Sequence, residues 1–228
     1  MRTYLAMTNL ARAGLLAFIV AIMAVPRIMQ GGPETRLLRI AMIFPVATII
    51  AGAVTAWGGA ARMAGPFPER GRMLKGLWMA VLAGVLITPI LLWTEGGIIR
   101  ELRANDNQAA LRLMYPAGVG ACFALILWGA GFETLFFRAS AISLLARVTG
   151  RQLVAVVGTV LFRVLVSAIQ FSEAGLHSSA GLRLTGVALL SVISCLFYVR
   201  AGLPATMMFA ATLDARHLVR LATGLDFS

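Results

Sequence analysis

The stretch Gly129 to Arg138 reads GAGFETLFFR and decides how the rest of the chain is interpreted. It sets Glu133 and Arg138 inside sequence that is otherwise apolar enough for the interior of a membrane. Ionisable groups at bilayer depth are costly, so they usually pair or line a cavity, and they often mark a functional site. Glu133 is therefore the first candidate for such a site.

The composition around this stretch is that of a multi-pass membrane protein. The chain has 228 residues, of which 60% are hydrophobic and 13% are charged, and its mean hydropathy is +0.88. Apolar windows of about 17–25 residues recur along the whole length, as bilayer-spanning helices require. The composition excludes a soluble domain of any size. It predicts an all-α, polytopic transmembrane helix bundle of seven or eight helices.

The predicted spans are separated by short polar or basic connections. They cover residues 13–28, 37–57, 76–93, 113–147, 152–171, 184–198 and 203–221. The run 113–147 corresponds to roughly 50 Å of helix, more than a hydrocarbon core of about 30 Å needs, so we expect it to tilt or break at Gly129 and Gly131. The polar stretch 94–112 is interpreted as a solvated connection.

The charge distribution predicts the orientation of the chain. The net charge is +11, but the basic residues lie in short connections between spans, which is an orientation signal and does not indicate a nucleic-acid partner. The most basic connection holds Arg62, Arg70, Arg72 and Lys75. We place it in the cytoplasm and the balanced stretch 94–112 on the opposite side.

The N-terminal residues and the cysteines add further expectations. Arg2 and Arg12 precede the first apolar run without a convincing cleavage site, which predicts a retained first helix and a cytoplasmic N-terminus at the cell membrane. Cys122 and Cys195 lie within apolar stretches and indicate neither a disulfide framework nor a metal site. No cofactor is predicted.

Three stretches together resemble a known family. Residues 132–138, FETLFFR, look like the EExxxR motif of the CPBP (CAAX protease and bacteriocin-processing, or Abi) family of glutamic-type intramembrane proteases. Residues 154–166, VAVVGTVLFRVLV, are similar to the family's second motif, which closes with FxxxH. Residues 202–214, GLPATMMFAATLD, are similar to the third, a Gly-led helix that ends in HxxxN or HxxxD.

The resemblance covers residues 113–220 and divides the chain into two parts. Residues 1–112 hold the N-terminal transmembrane helices and the polar loop, and residues 113–228 hold the motif-bearing helices. Both parts belong to one integral membrane domain.

The resemblance implies a protease site that has lost most of its catalytic groups. In the family, a glutamate activates water while histidines and the Asn or Asp help to bind or polarise the reacting carbonyl. Here the first glutamate is Glu133 and the second is replaced by Thr134. The two histidine positions hold Val166 and Ala210, and Asp214 occupies the Asn or Asp position. Val166 and Ala210 can neither accept a proton nor donate a hydrogen bond to an oxyanion.

An ion-pair cavity is the main hypothesis for what replaces that site. Arg163 lies one turn before Val166 on the same helix face, and Thr134 cannot neutralise Arg138 as a glutamate would. We expect Arg138 and Arg163 to pair with the two carboxylates, Glu133 and Asp214. The predicted cavity comprises Glu133, Thr134, Arg138, Arg163, Val166, Gln170, Ala210, Asp214 and His217.

Three functions fit these observations. The leading hypothesis is a catalytically inactive membrane binding or scaffold subunit that holds a peptide, a lipid or a partner transmembrane helix. The alternative is a divergent, active intramembrane endopeptidase that uses Glu133 as its catalytic residue, supported by Asp214 and by His217 as a substitute group. A small-molecule carrier is the third hypothesis. The predicted partners are membrane lipids and another membrane protein or transmembrane helix.

Overall fold

The computed structural model describes residues 6–30, 32–177 and 180–224, and Pro33 by its backbone alone; Arg2 lies outside these ranges. The described residues form helices joined by short connections, without a strand. The helices are α1 (Met7–Met29), α2 (Pro33–Trp57), α3 (Arg70–Ala104), α4 (Gln108–Met114), α5 (Val119–Trp128), α6 (Ser140–Thr149), α7 (Gln152–Glu173), α8 (Ala180–Asp214) and α9 (Arg216–Thr223). A π-helical stretch, Gly129–Ala139, joins α5 to α6 and is called the π segment below.

Six helical runs in the described part of the chain are long and apolar enough to cross a membrane. They are Met7–Met29, Glu34–Trp57, Arg70–Ala104, Val119–Thr149, Gln152–Glu173 and Ala180–Thr223. This confirms the prediction of an all-α, polytopic bundle. The last run contains two spans, because α8 folds back on itself, and the spans then number seven.

The fold-back of α8 occurs at Gly202. This residue has φ +81° and ψ −172°, a conformation that is almost restricted to glycine. A Cβ at this position would also lie 2.6 Å from the carbonyl oxygen of Gly65. The two arms, residues 180–201 and 203–214, pack against each other through Phe197 and Phe209, whose ring centroids are 5.1 Å apart. These arms correspond to the two spans predicted at 184–198 and 203–221.

The end of α3 differs from the sequence prediction. The helix continues to Ala104, so the first half of the stretch 94–112 is helical and not a solvated connection. Glu95, Ile99 and Leu102 are only 4%, 2% and 0% exposed. The charges of this region resemble those of a surface loop, but Glu95 and Glu101 bind arginines on other helices, and Glu95 is buried while Glu101 is half-buried.

Small residues dominate the contacts among the central helices. Ala13 and Ala17 of α1 and Ala47 and Ala51 of α2 are fully buried in one cluster. In a membrane, helices associate through close packing of this kind, since lipid supplies no hydrophobic force between them. The close approach positions α1 directly against the π segment, where a Cβ added at Gly131 would contact the Met23 side chain at 3.1 Å.

The two ends of the bundle differ in charge. One end, called the basic end below, holds the connection 58–69, the turn 150–151 and the tip of the α8 hairpin; Ala64 N–H donates to Val199 O at 2.8 Å. Its charged residues include Glu69 and the basic residues Arg62, Arg70, Arg72, Lys75, Arg147, Arg151 and Arg200. The opposite, mixed-charge end holds α4 and α9, and Asn105 Nδ2 donates there to Gly175 O at 2.9 Å.

Candidate functional site

The site is built on the π segment, which begins at the predicted point of irregularity. The helix does not break at Gly129 and Gly131 but widens into a π-helical turn. Thr134 supports this winding, because its hydroxyl donates to the carbonyl oxygen of Gly129, five residues earlier, at 2.9 Å. π-Helical turns inside α-helices are frequent at functional sites. Here the turn presents Glu133 towards α7.

Glu133 is held by donors from two helices. Trp128 donates its indole N–H to Oε1 at 3.2 Å, and Arg163 of α7 places Nη2 3.6 Å from Oε2. The side chains of Glu133 and Arg163 are 30% and 18% exposed. The Arg163 guanidinium also lies 5.2 Å from the ring centroid of Phe137, a cation–π contact. Glu133 is thus the acceptor in a loose, partly open ion pair.

Arg138 binds a neutral acceptor. Its Nη1 donates to the hydroxyl of Thr134 at 3.1 Å, while the charges of Arg163, Glu133 and Asp214 act on it from nearby. Arg138 Nε and Arg163 Nη1 are buried, and neither has a hydrogen-bond partner among the described residues. Two buried arginine N–H groups on neighbouring helices are therefore left without an acceptor.

Asp214 pairs with an arginine that the sequence analysis did not select. Its Oδ1 accepts from Arg216 Nη1 at 2.9 Å, and Arg216 Nε donates to Glu95 Oε1 at 2.5 Å. The expected pairing of Asp214 with Arg138 or Arg163 is therefore wrong, whereas the Glu133–Arg163 pair is formed. The reason is that α8 ends at Asp214, which lets Arg216 turn back towards it.

Asp214 nevertheless lies directly against the π segment. A Cβ added at Gly129 would be 2.2 Å from Asp214 Oδ2, so only glycine permits this approach. The contact brings the end of the third motif stretch to the beginning of the π segment, three residues before the first motif stretch. The glycine that starts the π segment thus also makes room for the carboxylate.

The remaining candidates divide into those near the bundle interior and those outside it. On α7, Thr159 and Ser167 are buried at 1% and 3% exposure, and Arg163 lies between them on the same inward stripe. Val166 is half-buried and Ala210 is buried, whereas Gln170 is exposed. The place of Gln170 in the predicted cavity stays a prediction.

His217 occupies a separate environment at the mixed-charge end. It is 1% exposed and packs edge-on against Tyr115, with ring centroids 5.8 Å apart. The charges that act on it are those of Arg216, Arg220 and Arg27. Nothing in the described residues joins it by hydrogen bond or ion pair to Glu133. Its ring contact with Tyr115 does not support His217 as the substitute catalytic group considered above.

Tyr115, in the connection before α5, completes this environment. Arg220 places its guanidinium 5.6 Å from the Tyr115 ring centroid and donates to Pro116 O at 2.9 Å. Burial raises the pKa of the Tyr115 phenol above its ordinary value, and the Glu95 carboxylate acts in the same direction. The phenol therefore stays protonated at neutral pH.

Three contributors to the site escaped the sequence analysis, namely Trp128, Glu95 and Arg216. Trp128 lies five residues before Glu133, a spacing that places two residues on one face of a π-helix but not of an α-helix. Glu95 lies in the stretch 94–112, whose composition predicts a solvated connection, and Arg216 begins α9, where charges are usually solvated. Only the contact of Trp128 had a signal in the sequence, because Gly129 and Gly131, which follow it, favour an irregular helical turn.

The chain matches no protein-family model, no curated protein and no solved structure. The resemblance to the CPBP family stays a prediction that rests on the three motif stretches.

Proposed function

We propose that this protein is a non-catalytic membrane subunit that binds a transmembrane segment of another protein at the groove between the π segment and α7. The single observation that carries the proposal is the Glu133–Arg163 pair. It is loose at 3.6 Å, and its carboxylate side chain is 30% exposed although it lies within membrane-spanning helices. Ionisable residues at this depth usually mark a functional site.

The physical argument is that the charges and hydrogen-bond donors of this site are only partly satisfied within the bundle. An exposed charge pair in an apolar medium is costly, and the buried Arg163 Nη1 and Arg138 Nε add two unfilled donors. A polar group or main-chain carbonyl on a partner helix would cover the exposed part of the pair. Helices in membranes associate through such small polar contacts, each worth about 0.6–2 kcal/mol.

The surroundings of the pair also favour a helical partner. Only 17% of the most apolar window of α7 is buried within the bundle. Phe162 is 39% exposed beside the pair, and its ring lies 6.1 Å from that of Phe137. This apolar rim around a polar centre suits a transmembrane helix better than a soluble ligand.

A CPBP-like fold with an inactive site is part of the same proposal. Its support is that the three motif stretches lie on elements that contact one another, the π segment, α7 and α8, and that Asp214 at the end of the second arm approaches Gly129. Inactivity is supported by Thr134, Val166 and Ala210 at the positions of the second glutamate and the two histidines, and by the engagement of Asp214 with Arg216. Arginine stays protonated and cannot serve as a base.

The charge difference between the two ends supports the proposed orientation. The basic end would face the cytoplasm according to the positive-inside rule. Because α1 begins at that end, where Asn9 Nδ2 donates to Gly52 O near the end of α2, the N-terminus would be cytoplasmic.

Site-specific photocrosslinking tests the proposed binding groove. A benzophenone amino acid at Phe162 should crosslink one partner in native membranes, and the crosslink should be lost in a Glu133→Gln/Arg163→Gln background. The matched control places the same probe at Leu153, which is 75% exposed on the same helix but far from the pair. A Glu101→Gln variant, which breaks another interhelical ion pair, controls for loss of stability.

The outcomes separate the binding function from the rival enzyme. A partner captured at residue 162, absent at residue 153 and dependent on Glu133 supports the proposal. Equal crosslinking at both positions, or none that depends on Glu133, contradicts it. If the captured protein is cleaved in the wild type and accumulates intact in Glu133→Gln, the chain is an intramembrane endopeptidase.

A further inference from the structure

A groove between α3 and the first arm of α8 opens at the basic end. Its volume is about 450 Å³, within the range of about 300–1,000 Å³ that is usual for small-molecule sites. Its walls carry three basic side chains at the mouth and apolar side chains below them. We propose that this α3–α8 groove binds one anionic phospholipid, with the phosphate at the mouth and an acyl chain along the apolar wall.

The mouth has the charge that a lipid phosphate requires. Arg72 and Lys75 come from the first turns of α3, and Arg200 comes from the end of the first arm of α8. All three are exposed, and within the described residues none of them makes a hydrogen bond or an ion pair. Arginine binds phosphate oxygens in a bidentate manner, and lysine adds a point charge. Three unpaired cations from two helices therefore converge on one opening.

The wall below the mouth is apolar. It is formed by Met79 of α3 and by Ile193, Leu196 and Phe197 of α8. Met79 and Leu196 are 53% and 40% exposed, so the groove is open towards the surrounding lipid along its length. This division into a cationic mouth and an apolar wall matches the two parts of a phospholipid. A soluble phosphate would contact only the cationic mouth.

Two further features set the depth and the base of the groove. Trp78, which is 76% exposed, follows Lys75 by less than one helical turn, and exposed tryptophans mark the level of the lipid headgroups. Gly76 lets the helices meet at the base, because a Cβ there would lie 2.2 Å from the Cβ of Ala201. The basic side chains thus lie at headgroup level. Basic pockets between membrane helices are a known form of anionic lipid site.

Native mass spectrometry in a mild detergent tests the proposal, because it resolves single lipid adducts. The probes are dioleoylphosphatidylglycerol and dioleoylphosphatidylcholine. We expect the wild type to retain one phosphatidylglycerol with at least tenfold preference over phosphatidylcholine. Arg72→Gln/Lys75→Gln/Arg200→Gln should lose that preference, since each basic residue near the surface contributes about fivefold to binding of an anionic lipid.

The matched control is Arg62→Gln/Arg147→Gln/Arg151→Gln. It removes the same charge from the same end of the bundle, but none of its residues lines the groove. It should keep the bound phosphatidylglycerol. Equal loss in the two triple variants would mean general surface attraction and would overturn the proposal. Thermal unfolding without added lipid should give similar midpoints for both triple variants, which establishes that a loss of binding is not a loss of folding.

A second variant tests the apolar wall with the charges intact. Leu196→Trp fills the groove from its open side and should weaken phosphatidylglycerol binding about tenfold or more. Soluble glycerol phosphate at millimolar concentration should not displace the lipid from the wild type. Displacement by glycerol phosphate, or unchanged binding in Leu196→Trp, would show that no acyl chain occupies the groove and would contradict the proposal.

Discussion

Arg216 lies 2.5 Å from the carboxylate of Glu95, and this contact ties α9 to α3 across 121 positions of sequence. The same guanidinium also binds Asp214 at 2.9 Å. One arginine therefore neutralises two carboxylates where the third motif stretch ends. The arrangement is asymmetric, because removal of the arginine leaves two unpaired charges, whereas removal of Glu95 leaves one intact pair.

We expect Arg216→Gln to lower the free energy of unfolding by about 3–5 kcal/mol, because it leaves Glu95 and Asp214 without their cation. Glu95→Gln should cost less, about 1–3 kcal/mol, since Arg216 keeps Asp214. Chemical unfolding in detergent micelles measures both values. Glu173→Gln, at an exposed position, is the control. An Arg216→Gln protein as stable as this control would contradict the assigned role of the pair.

The Glu133–Arg163 pair predicts a rescue by a second substitution. Glu133→Gln should lower the free energy of unfolding by about 1–2 kcal/mol, because it leaves Arg163 without a counter-charge in a partly exposed site. Glu133→Gln/Arg163→Gln should recover part of this loss, with a coupling energy of about 0.5–2 kcal/mol. A double-mutant cycle measures the coupling. Strictly additive losses would mean that the two side chains do not act as a pair.

The two hydrogen bonds of Thr134 predict different stabilities for two conservative substitutions at this position. Its hydroxyl donates to Gly129 O and accepts from Arg138, so Thr134→Val should lower the free energy of unfolding by about 1–3 kcal/mol. Thr134→Ser keeps both hydrogen bonds and should lose less, mainly through the missing methyl group in a fully buried position. Unfolding of the two proteins in the same detergent makes the comparison. A valine variant at least as stable as the serine variant would contradict the role of the hydroxyl.

Gly202 predicts a backbone effect in α8. Gly202→Ala should cost at least about 1–3 kcal/mol from its conformation alone, and more from the contact at 2.6 Å with Gly65 O. The matched change is Gly186→Ala in the first arm, where an added Cβ meets nothing within 4 Å. It should be neutral or stabilise the helix by up to about 1 kcal/mol. Thermal unfolding compares the two proteins, and equal midpoints would contradict the hairpin geometry.

The sequence predicted most of the helices and one of the ion pairs for physical reasons. The thickness of the hydrocarbon core sets the length of an apolar span. The predicted spans 37–57 and 152–171 therefore agree closely with α2 and α7. A charge at bilayer depth needs a counter-charge, which indicated Arg138 and Arg163 as partners for Glu133 and Asp214 without assigning which arginine binds which carboxylate. The gap between the spans predicted at 184–198 and 203–221 likewise coincides with the fold-back at Gly202.

The remaining features depend on geometry that residue patterns do not carry. The pairing argument for Glu133 assumed α-helical spacing, so it missed the π-helical contact with Trp128. Three arginines could have paired with Asp214, and only the helix end after Asp214 selects Arg216. Glu95 lies in a stretch whose composition is typical of a surface loop. Its burial depends on Arg216, which is far away in the sequence.

The hairpin of α8 also has a consequence for the two faces of the membrane. Successive helical runs cross the bundle in opposite directions. The fold-back at Gly202 reverses the chain once more, within the last run. An odd number of passages separates Met7 from Thr223, both of which are exposed. Cysteines introduced at these two positions should therefore react with an impermeant thiol reagent from opposite compartments. A single residue with positive φ thus determines which compartment receives the end of the last helix.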